Sequence, residues 1–341
     1  MKLLQAMAGA EFGGAEAFFT RLAIALTRAG VEQHAVIRRN AARSELLLRG
    51  GVQPVQLPFG GRLDFYTPFA LKREIKSFAP DVVLTWMNRA TSHCPTGDFV
   101  HVGRLGGYYD LKYYRNCQHL IANTEDISDY AVRSGWPQDR IHYLPDFVNS
   151  ERMEPASRSQ LFTPKNAPLV LAMGRLHKNK AFDVLLEAMT KVPDAYLWLA
   201  GEGPLRQELE AQAERLAVKP RVRFLGWRAD TAALLAACDV FVCPSRHEPL
   251  GNVVIEGWAQ GVPVVATDSL GPGTLIDNMN NGVLVPVDDA VQLGRALRGV
   301  LEEDGELRGR LGEAGHAAYL ERFTEEIVVA RYLEFLNQVA A

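Results

Sequence analysis

The 341-residue sequence has few cysteines, no long apolar run and no strong charge of either sign. Its four cysteines form no CxxC pair, which argues against a disulfide framework or a zinc site. No apolar run approaches 18 residues, so no transmembrane helix is predicted. The apolar part of the N-terminus is too short for a signal peptide. We therefore expect a cytoplasmic protein.

The formal net charge of −3 gives no electrostatic argument for a nucleic-acid partner, and none is expected. Residues 1–150 hold 17 Lys and Arg against 14 Asp and Glu, whereas the remainder is acidic. This asymmetry suggests peripheral contact between the first half and an anionic inner membrane. The Gly-rich loop at 9–16 reads GAEFGGAE rather than GxGxxG, so a nicotinamide or flavin dinucleotide site is not supported.

The chain is longer than one core usually supports, and predicted strands alternate with helices throughout. A polar stretch with Pro155 and Pro164 interrupts this pattern. The prediction is an α/β protein with two doubly wound domains. They comprise residues 1–150, a linker at 151–166, and residues 167–323. The last helix, about 324–341, has no strand partner and is expected to pack back on the first domain.

One stretch of the second half, Ser245–Thr267, has the pattern loop, helix, strand directly after a buried strand. Glu248 precedes the helix, and Glu256 lies about one turn inside it. A helix N-terminus binds anions, and carboxylates accept hydrogen bonds from hydroxyls. The combination suits a nucleotide sugar. The alternative is a pair of solvated surface glutamates.

Two further loops follow predicted strands of the second half. Gly174 begins the first, which contains Arg175 and Lys180, a cation pair suited to a diphosphate. The second is the turn with Gly201 and Gly203, where the backbone can approach a ligand. The alternatives are a solvated basic loop and a plain turn.

The first half offers weaker signals. Gly13 and Gly14 could bring backbone amides close to a phosphate or an acceptor, or simply form a tight turn. Tyr108 opens an aromatic and basic segment that could hold an acceptor sugar or a lipid headgroup, or form a half-buried helix face. The histidines are scattered, and only His247, beside Glu248, is placed near the candidate site.

Four of these motifs, in this order, resemble the retaining glycosyltransferases of family 4. They are GGAE at 13–16, GRLxxxK at 174–180, GEGP at 201–204, and EPLGNVVIE at 248–256 followed by GVPVVAT. The resemblance spans nearly the whole chain and implies a GT-B fold, two Rossmann-like domains facing across a cleft. It implies retaining transfer of a hexose-type sugar from a UDP- or GDP-sugar, with no metal and no cofactor. The acceptor would be a glycan or glycolipid, as in lipopolysaccharide or other cell-surface polysaccharide synthesis.

The resemblance also assigns roles. The catalytic set would be Arg175 and Lys180 on the diphosphate and Glu248 on the sugar hydroxyls, while Glu256 would bind the ribose. The other donor-binding positions would be Gly13, Gly14, Gly174, Gly201, Gly203, Leu250, Gly251, Asn252 and Val253. The acceptor side would be Glu16, His101, Arg104 and Tyr108. The chain departs from the family pattern at Ala181, where Gly is usual, and at 146–149, where DFVN replaces NGVD.

Two other functions fit the same architecture. A nucleotide-sugar epimerase would use the donor and no acceptor. A non-catalytic sugar-nucleotide-binding protein would bind the donor and release it unchanged. The joint presence of both cations and both glutamates argues against the non-catalytic alternative.

Overall fold

Two parallel β-sheets, each in its own part of the chain, organise the protein. The computed structural model describes residues 1–11, 13–61, 64–148, 150–151, 153–302 and 305–341. Unit 1 comprises Met1–Phe147 with Glu325–Ala341, and unit 2 comprises Val148–Thr324. Phe12 of the Gly-rich loop, Asn149 of the DFVN stretch and Arg152 of the predicted linker lie outside the described residues.

Unit 1 contains a seven-stranded sheet whose strand pairs are parallel. The strands are β1 Lys2–Met7, β2 Glu32–Arg38, β3 Pro54–Leu57, β4 Val82–Trp86, β5 Val100–Arg104, β6 His119–Ala122 and β7 Ile141–Tyr143. Their order, β3-β2-β1-β4-β5-β6-β7, reverses direction between β1 and β4. Ligands of such sheets bind beyond the carboxyl ends of the strands at this switch point.

Helices connect these strands: α1 Gly14–Arg28, α2 Ala41–Arg49, α3 Tyr66–Phe78, α4 Met87–His93 and α5 Glu125–Arg133. α1 buries Phe18, Leu22 and Leu26, which recur at the spacing of one helix face. Thr124 caps the start of α5, and its side chain accepts a hydrogen bond from the Ile127 amide at 3.2 Å. These local patterns explain where the helices begin and which face they bury.

Unit 2 contains a six-stranded parallel sheet of the order β10-β9-β8-β11-β12-β13. The strands are β8 Leu169–Met173, β9 Tyr196–Ala200, β10 Val222–Gly226, β11 Val240–Cys243, β12 Val264–Thr267 and β13 Val283–Val285. The helices are α6 Phe182–Ala188, α7 Arg206–Arg215, α8 Thr231–Ala237, α9 Asn252–Ala259, α10 Leu270–Leu275, α11 Ala290–Val300 and α12 Glu306–Arg322. β8 and β11 are buried along their whole length, as parallel strands covered on both faces are. They meet at the switch point of this sheet.

The last helix, α13 (Glu325–Ala340), belongs to unit 1. It buries Tyr332, Phe335 and Leu336, and Arg331 donates to the Tyr143 carbonyl at 3.0 Å. The predicted α/β class with two doubly wound units is confirmed. In the part of the chain that the structure describes, none of the helices has the length and apolar character needed to span a bilayer.

Candidate active site

The switch point of unit 2 brings together the two loops that carry the predicted donor residues. β8 and β11 are neighbours, with Val240 opposite Val170 and Phe241 opposite Leu171. The loop after β8 leads to α6, and the loop after β11 leads to α9. Since parallel strands end at the same edge, both loops lie at the ligand-binding edge of the sheet.

Lys180 and Glu248 form an ion pair across these two loops, with the ammonium donating to one carboxylate oxygen. Their side chains are only 22% and 12% exposed. Burial acts to lower the pKa of Lys180, but Glu248, the Cys243 sulfur and Glu256 together outweigh burial and raise it. Lys180 is therefore a cation at neutral pH. Arg175, in the same loop, is exposed and bonds to no described residue, so its guanidinium can receive a ligand.

Glycines hold the first loop against the neighbouring strand end. Gly201 has a φ of +150°, and a Cβ there would overlap the carbonyl oxygen of Gly174. A Cβ at Gly203 would overlap the backbone of Leu176. The Gly174 amide donates to the Ala200 carbonyl at 3.0 Å. Gly201 and Gly203 thus allow two backbone segments to pack closely, and this packing positions the loop that carries Lys180.

The second loop ends in a tight turn at the start of α9. Gly251, its N-cap, has a φ of +67°, and the Gly271 amide donates to the Glu248 carbonyl at 2.7 Å. Asn252 and Val253 are the first two residues of α9, at the end of the helix whose dipole attracts anions. Glu256 follows one turn later and is half-buried. The predicted helix at 252–260 is confirmed to within one residue.

Arg246 links the two loops through hydrogen bonds and ion pairs. The sequence analysis did not identify it. Its guanidinium donates to both carboxylate oxygens of Asp183, at 2.9 and 2.6 Å, and to Asp288 at 2.6 Å. It also donates to the Lys178 carbonyl at 2.9 Å. The exposed His247 contributes only its amide to this junction, donating to the Asn179 carbonyl at 3.2 Å. The sequence held two signals of this junction. Arg246 lies two residues before Glu248, and Asp183 lies in the first turn of α6.

Ala181 explains why glycine suits the position after Lys180. Its φ is +49°, in the left-handed region, and it ends the short 3-10 helix Lys178–Lys180. The Ala181 side chain is fully buried. An alanine in this conformation carries strain that glycine avoids. Among the described residues, no group of three or more His, Cys, Asp and Glu side chains could hold a metal ion.

In unit 1, Glu16 and Arg43 hold the Gly-rich loop. The Glu16 side chain is 7% exposed and accepts from the Ala10 amide at 2.7 Å, while Arg43 donates to the Ala10 carbonyl at 2.8 Å. A Cβ at Gly13 would overlap the Glu16 carboxylate. Gly14 is the first residue of α1. These contacts form the tight β1–α1 turn that was the alternative interpretation of the loop.

Two predicted acceptor-side residues lie in the core of unit 1. Burial lowers the pKa of His101 to about 4, and its neutral ring lies 2.9 Å from the Thr85 hydroxyl. Arg104 has no exposed surface and is paired with Asp146, with the Tyr332 hydroxyl 3.3 Å away. Both side chains are buried and already have partners within unit 1, so neither residue enters the proposal below.

Tyr108, the fourth predicted acceptor-side residue, is half-buried beyond the end of β5. Its hydroxyl donates to Asp126, and burial together with this bond raises the pKa of the phenol. The ring stacks edge to face on Tyr130 at 5.3 Å between centroids. Tyr108 therefore presents a fixed aromatic surface near the carboxyl edge of the unit 1 sheet.

The fold is that of the GT-B glycosyltransferases. The chain matches the crystal structure of Anabaena Alr3699/HepE in complex with UDP with a TM-score of 0.87 at 21% identity, covering 99% of this chain and 100% of that one. At this identity the likeness shows the fold alone, and it confirms the fold implied by the motifs.

Sequence comparison is more specific. Glycosyltransferase Family 4 matches residues 12–152, and Glycosyl transferases group 1 matches residues 167–303. The lipopolysaccharide core biosynthesis glycosyltransferase LpsE of Rhizobium meliloti (strain 1021) is 40% identical over 331 residues, 95% of this chain and 96% of the relative. LpsD of the same organism is 35% identical, covering 100% and 99%. The chain belongs to the family 4 glycosyltransferases.

Proposed function

We propose that the protein is a retaining hexosyltransferase of lipopolysaccharide core synthesis. It takes the sugar from a UDP- or GDP-sugar and delivers it to a glycan or lipid-linked acceptor. The observation that carries this proposal is the Lys180–Glu248 pair at the switch point of unit 2, with the exposed guanidinium of Arg175 in the same loop. The names of LpsE and LpsD support the pathway, and the UDP and UDP-glucose in Alr3699/HepE structures support the donor class.

The diphosphate is bound by positive charge that is already in place. Arg175 supplies a planar guanidinium, Lys180 a point charge, and the N-terminus of α9 the positive end of a helix dipole. The attraction between these groups and the diphosphate strengthens as negative charge develops on the leaving diphosphate. A donor of this kind contributes about 2.7–4 kcal/mol to transition-state stabilisation.

The ion pair also explains how a carboxylate can lie beside an anion site. Lys180 offsets the negative charge of Glu248, so the carboxylate does not repel the diphosphate. Its oxygens accept hydrogen bonds from hydroxyls of the transferred sugar. Glu256, one turn inside α9, accepts from the ribose hydroxyls. Glu248 and Glu256 thus recognise the two hydroxyl-rich ends of the donor.

The chemistry follows from this binding. The bond between the anomeric carbon and the diphosphate oxygen breaks, and the acceptor oxygen bonds to the same face of that carbon. The acceptor proton passes to the leaving phosphate oxygen. No side chain has to act as a base, and neither a divalent metal nor a cofactor takes part.

Unsatisfied polar groups support an acceptor site on unit 1. Within the described residues, the Asn88 carbonyl oxygen and both amide atoms of Asn123 are buried without a hydrogen-bond partner. Strand register aligns them, because Trp86 pairs with Arg104 and Arg104 pairs with Ile121, and each asparagine lies two residues after the paired residue of its own strand. Such groups normally find partners, and saccharide hydroxyls would supply them. Glu16, in the first turn of α1, and Tyr108, in the segment after β5, lie at the same edge.

A lipid-linked acceptor would also bring the enzyme to a membrane. We propose that the enzyme works in the cytoplasm, in peripheral contact with the inner face of the membrane through unit 1. The support is the basic balance of residues 1–150 and the lipid-linked glycan in the relatives' names.

The proposal is tested with purified full-length chain. A thermal-shift screen of UDP-, GDP- and ADP-sugars first identifies the donor. Transfer to truncated lipopolysaccharide cores is then measured, and the anomeric configuration of the product is read by NMR. Arg175→Ala and Lys180→Met are expected to reduce kcat/KM by about 100- to 1000-fold. Lys178→Ala, in the same loop but with an exposed side chain, serves as the matched control.

Each alternative has its own outcome. Epimerised free nucleotide sugar formed without acceptor would show the epimerase. Tight donor binding with no turnover on any acceptor would show the non-catalytic protein. Near wild-type transfer in Arg175→Ala and Lys180→Met would contradict the site itself, and an inverted anomeric centre would contradict retention.

A further inference from the structure

A groove on unit 1 separates the segment after β5 from α5 and the turn that follows it. Its volume is about 660 Å³, and its lining includes Tyr108, Lys112 and Arg115 on one side and Tyr130 and Trp136 on the other. We call it the α5 groove. Binding sites for small ligands typically have volumes of about 300–1,000 Å³. The loops of the donor site belong to unit 2, so donor binding does not account for this groove.

Three half-buried aromatic rings line the α5 groove, and each is tied to the protein at its polar end. The Tyr108 hydroxyl bonds to a carboxylate of α5. The Tyr130 hydroxyl donates to the Tyr109 carbonyl at 3.0 Å, and the Trp136 indole N–H donates to the Arg140 carbonyl at 3.0 Å. These bonds satisfy the polar atoms and fix the rings. What the rings offer a ligand is therefore apolar surface.

The walls of the α5 groove are rigid. The Asp110 side chain accepts from the Lys112 amide at 2.9 Å and caps the short 3-10 turn Leu111–Tyr114. That turn is anchored by Tyr114, which has no exposed surface. The opposite wall is anchored by Ile127, the buried residue in the first turn of α5. A preformed site loses little conformational freedom when a ligand binds.

The α5 groove carries one cation that is left for a ligand. Among its lining residues, all of which are described, Asp110 is the one acid, and it pairs with the Lys112 ammonium at 2.6 Å. Arg115 is exposed and forms no hydrogen bond or ion pair with a described residue. A guanidinium donates two parallel hydrogen bonds to a carboxylate or a phosphate. The groove thus combines aromatic surface with a site for one anionic group.

The α5 groove begins beside the proposed acceptor site and leads away from it. Tyr108 lies beyond the carboxyl end of β5, at the edge where the unpaired asparagines lie. Arg115 and Trp136 lie shortly before the amino ends of β6 and β7. The groove therefore runs along the sheet for about the length of β6, which is roughly 13 Å for four residues.

We propose that the α5 groove binds the distal sugars of the acceptor, an oligosaccharide that carries a carboxylate or a phosphate group. Sugar rings have faces of C–H groups that pack on aromatic rings, and an anionic substituent meets the guanidinium of Arg115. The continuity of the groove with the edge at Tyr108 allows one saccharide to occupy both. This inference rests on the proposed function for the identity of the acceptor, but binding is measurable without transfer.

The test is calorimetric titration of the full-length protein, without donor, with the core oligosaccharide of lipopolysaccharide freed of its lipid. Four ligands are compared: the untreated oligosaccharide, a dephosphorylated form, a carboxyl-reduced form and a form treated in both ways. We expect the untreated form to bind, and the form that lacks the recognised anion to bind about tenfold more weakly. Loss of affinity on dephosphorylation assigns a phosphate, and loss on reduction assigns a carboxylate.

Two variants separate the charge from the aromatic surface. Arg115→Ala should weaken binding of the untreated oligosaccharide by about tenfold and leave binding of the doubly treated form unchanged. Trp136→Ala should weaken binding of all four ligands by about tenfold, because every form keeps its sugar rings. Trp136→Phe keeps an aromatic ring and should retain most of the affinity.

Matched controls test whether these effects are specific to the α5 groove. Arg215→Ala removes an exposed cation from α7 of unit 2. Tyr113→Ala removes an aromatic side chain that is 41% exposed in the same 3-10 turn but is not part of the groove lining. Both controls should bind all four ligands as the wild type does. Circular dichroism and thermal unfolding establish that each variant is folded.

Transfer kinetics distinguish this inference from the proposed function. At saturating donor, Arg115→Ala should raise the KM for the untreated oligosaccharide by about tenfold with kcat unchanged. A monosaccharide acceptor, too short to reach Arg115, should show no change. Groove-dependent binding without any transfer would contradict the transferase alone. Transfer with acceptor binding unchanged in both Arg115→Ala and Trp136→Ala would contradict the groove alone.

Three results would overturn the proposal. They are no binding of any of the four ligands, equal binding of all four, and binding that is unchanged in both groove variants. A dimer seen by sedimentation in the wild type and lost in Trp136→Ala would show that the groove holds a second copy of the chain instead.

Discussion

Replacing Glu248 by Gln tests the central ion pair with almost no change in shape. The amide keeps the size of the carboxylate and one acceptor oxygen, but it removes the negative charge that faces Lys180. The ammonium of Lys180, whose side chain is 22% exposed, then loses its main counter-charge. The variant should be less stable, and its stability should acquire a new dependence on pH.

The size of the effect follows from the burial of the pair. Two unit charges at 4 Å interact by about 4 kcal/mol at an effective dielectric constant of 20. Exposed pairs contribute about 0–1 kcal/mol, and breaking a fully buried pair costs about 3–5 kcal/mol. With side chains 22% and 12% exposed, this pair lies between those limits. We expect the free energy of unfolding to fall by about 2 kcal/mol near pH 7.

The pH dependence has a sign that can be stated in advance. In the wild type the pKa of Lys180 is raised above 10.5, so its contribution to stability is complete below that pH and is lost only above it. Without Glu248, we expect burial, the largest single influence on this ammonium, to lower the pKa of Lys180. The folded variant then binds fewer protons than its unfolded chain, and its stability rises with pH up to 10.5. The deficit should shrink by at most about 1.4 kcal/mol per pH unit.

The assay is urea unfolding of both proteins from pH 7 to pH 10, followed by tryptophan fluorescence, to which unit 2 contributes the buried Trp198 and Trp258. Glu202→Gln is the control, because Glu202 pairs with Arg206 on an exposed helix end and arginine does not titrate in this range. That control should lose at most about 0.5 kcal/mol at every pH. A deficit in Glu248→Gln that stays constant with pH would refute the reasoning.

Three further substitutions test separate features. Gly201→Ala should destabilise unit 2 by about 3 kcal/mol or more in a denaturant titration, because its Cβ would overlap backbone. Gly309→Ala, in a helix with open space around it, should instead stabilise by about 0.5–1 kcal/mol, and equal effects would contradict the close-packing account. Arg246→Lys keeps the charge but loses the bidentate bonds, so donor KM should rise more than kcat falls; unchanged steady-state kinetics would exclude a positioning role. Tyr332→Phe removes a bond to the buried Arg104 and should cost about 1–3 kcal/mol of unfolding free energy with no change in KM, whereas a changed acceptor KM would place this group nearer the acceptor than the structure does.

Most of the fold was predictable because the relevant signals are local. Short apolar runs such as 169–173 and 240–243 predicted buried strands, and the strand–loop–helix pattern around Glu248 placed that residue at a sheet edge. Short elements were missed. α4 follows β4 without a loop, through Met87 at a φ of +61°, a junction that residue types do not reveal. Its polar sequence, MNRATSH, carries little apolar periodicity.

The site was predictable in part for the same reason. Arg175, Lys180 and Glu248 each follow a strand, so their approximate place was readable from the chain. Lys180 pairs with Glu248, while Arg175 remains exposed, because the chain returns to the neighbouring strand at a sequence separation of 68. Arg246 was missed because its two acidic partners lie 63 residues before it and 42 residues after it.

Local sequence patterns were enough to predict the α/β class, the two doubly wound units and the strand-end positions of Arg175, Lys180 and Glu248, because hydrophobic periodicity and turn residues act over short distances. Tertiary structure alone decided which of the charged residues became buried. Arg104 looks like a surface cation beside a Gly-rich segment, yet it lies against Trp86 and Phe18, at 4.5 and 4.9 Å from their rings, and pairs with Asp146. Only the folded chain can supply that environment, because the charge of a buried arginine is stable only where distant residues provide its counter-charge and hydrogen bonds.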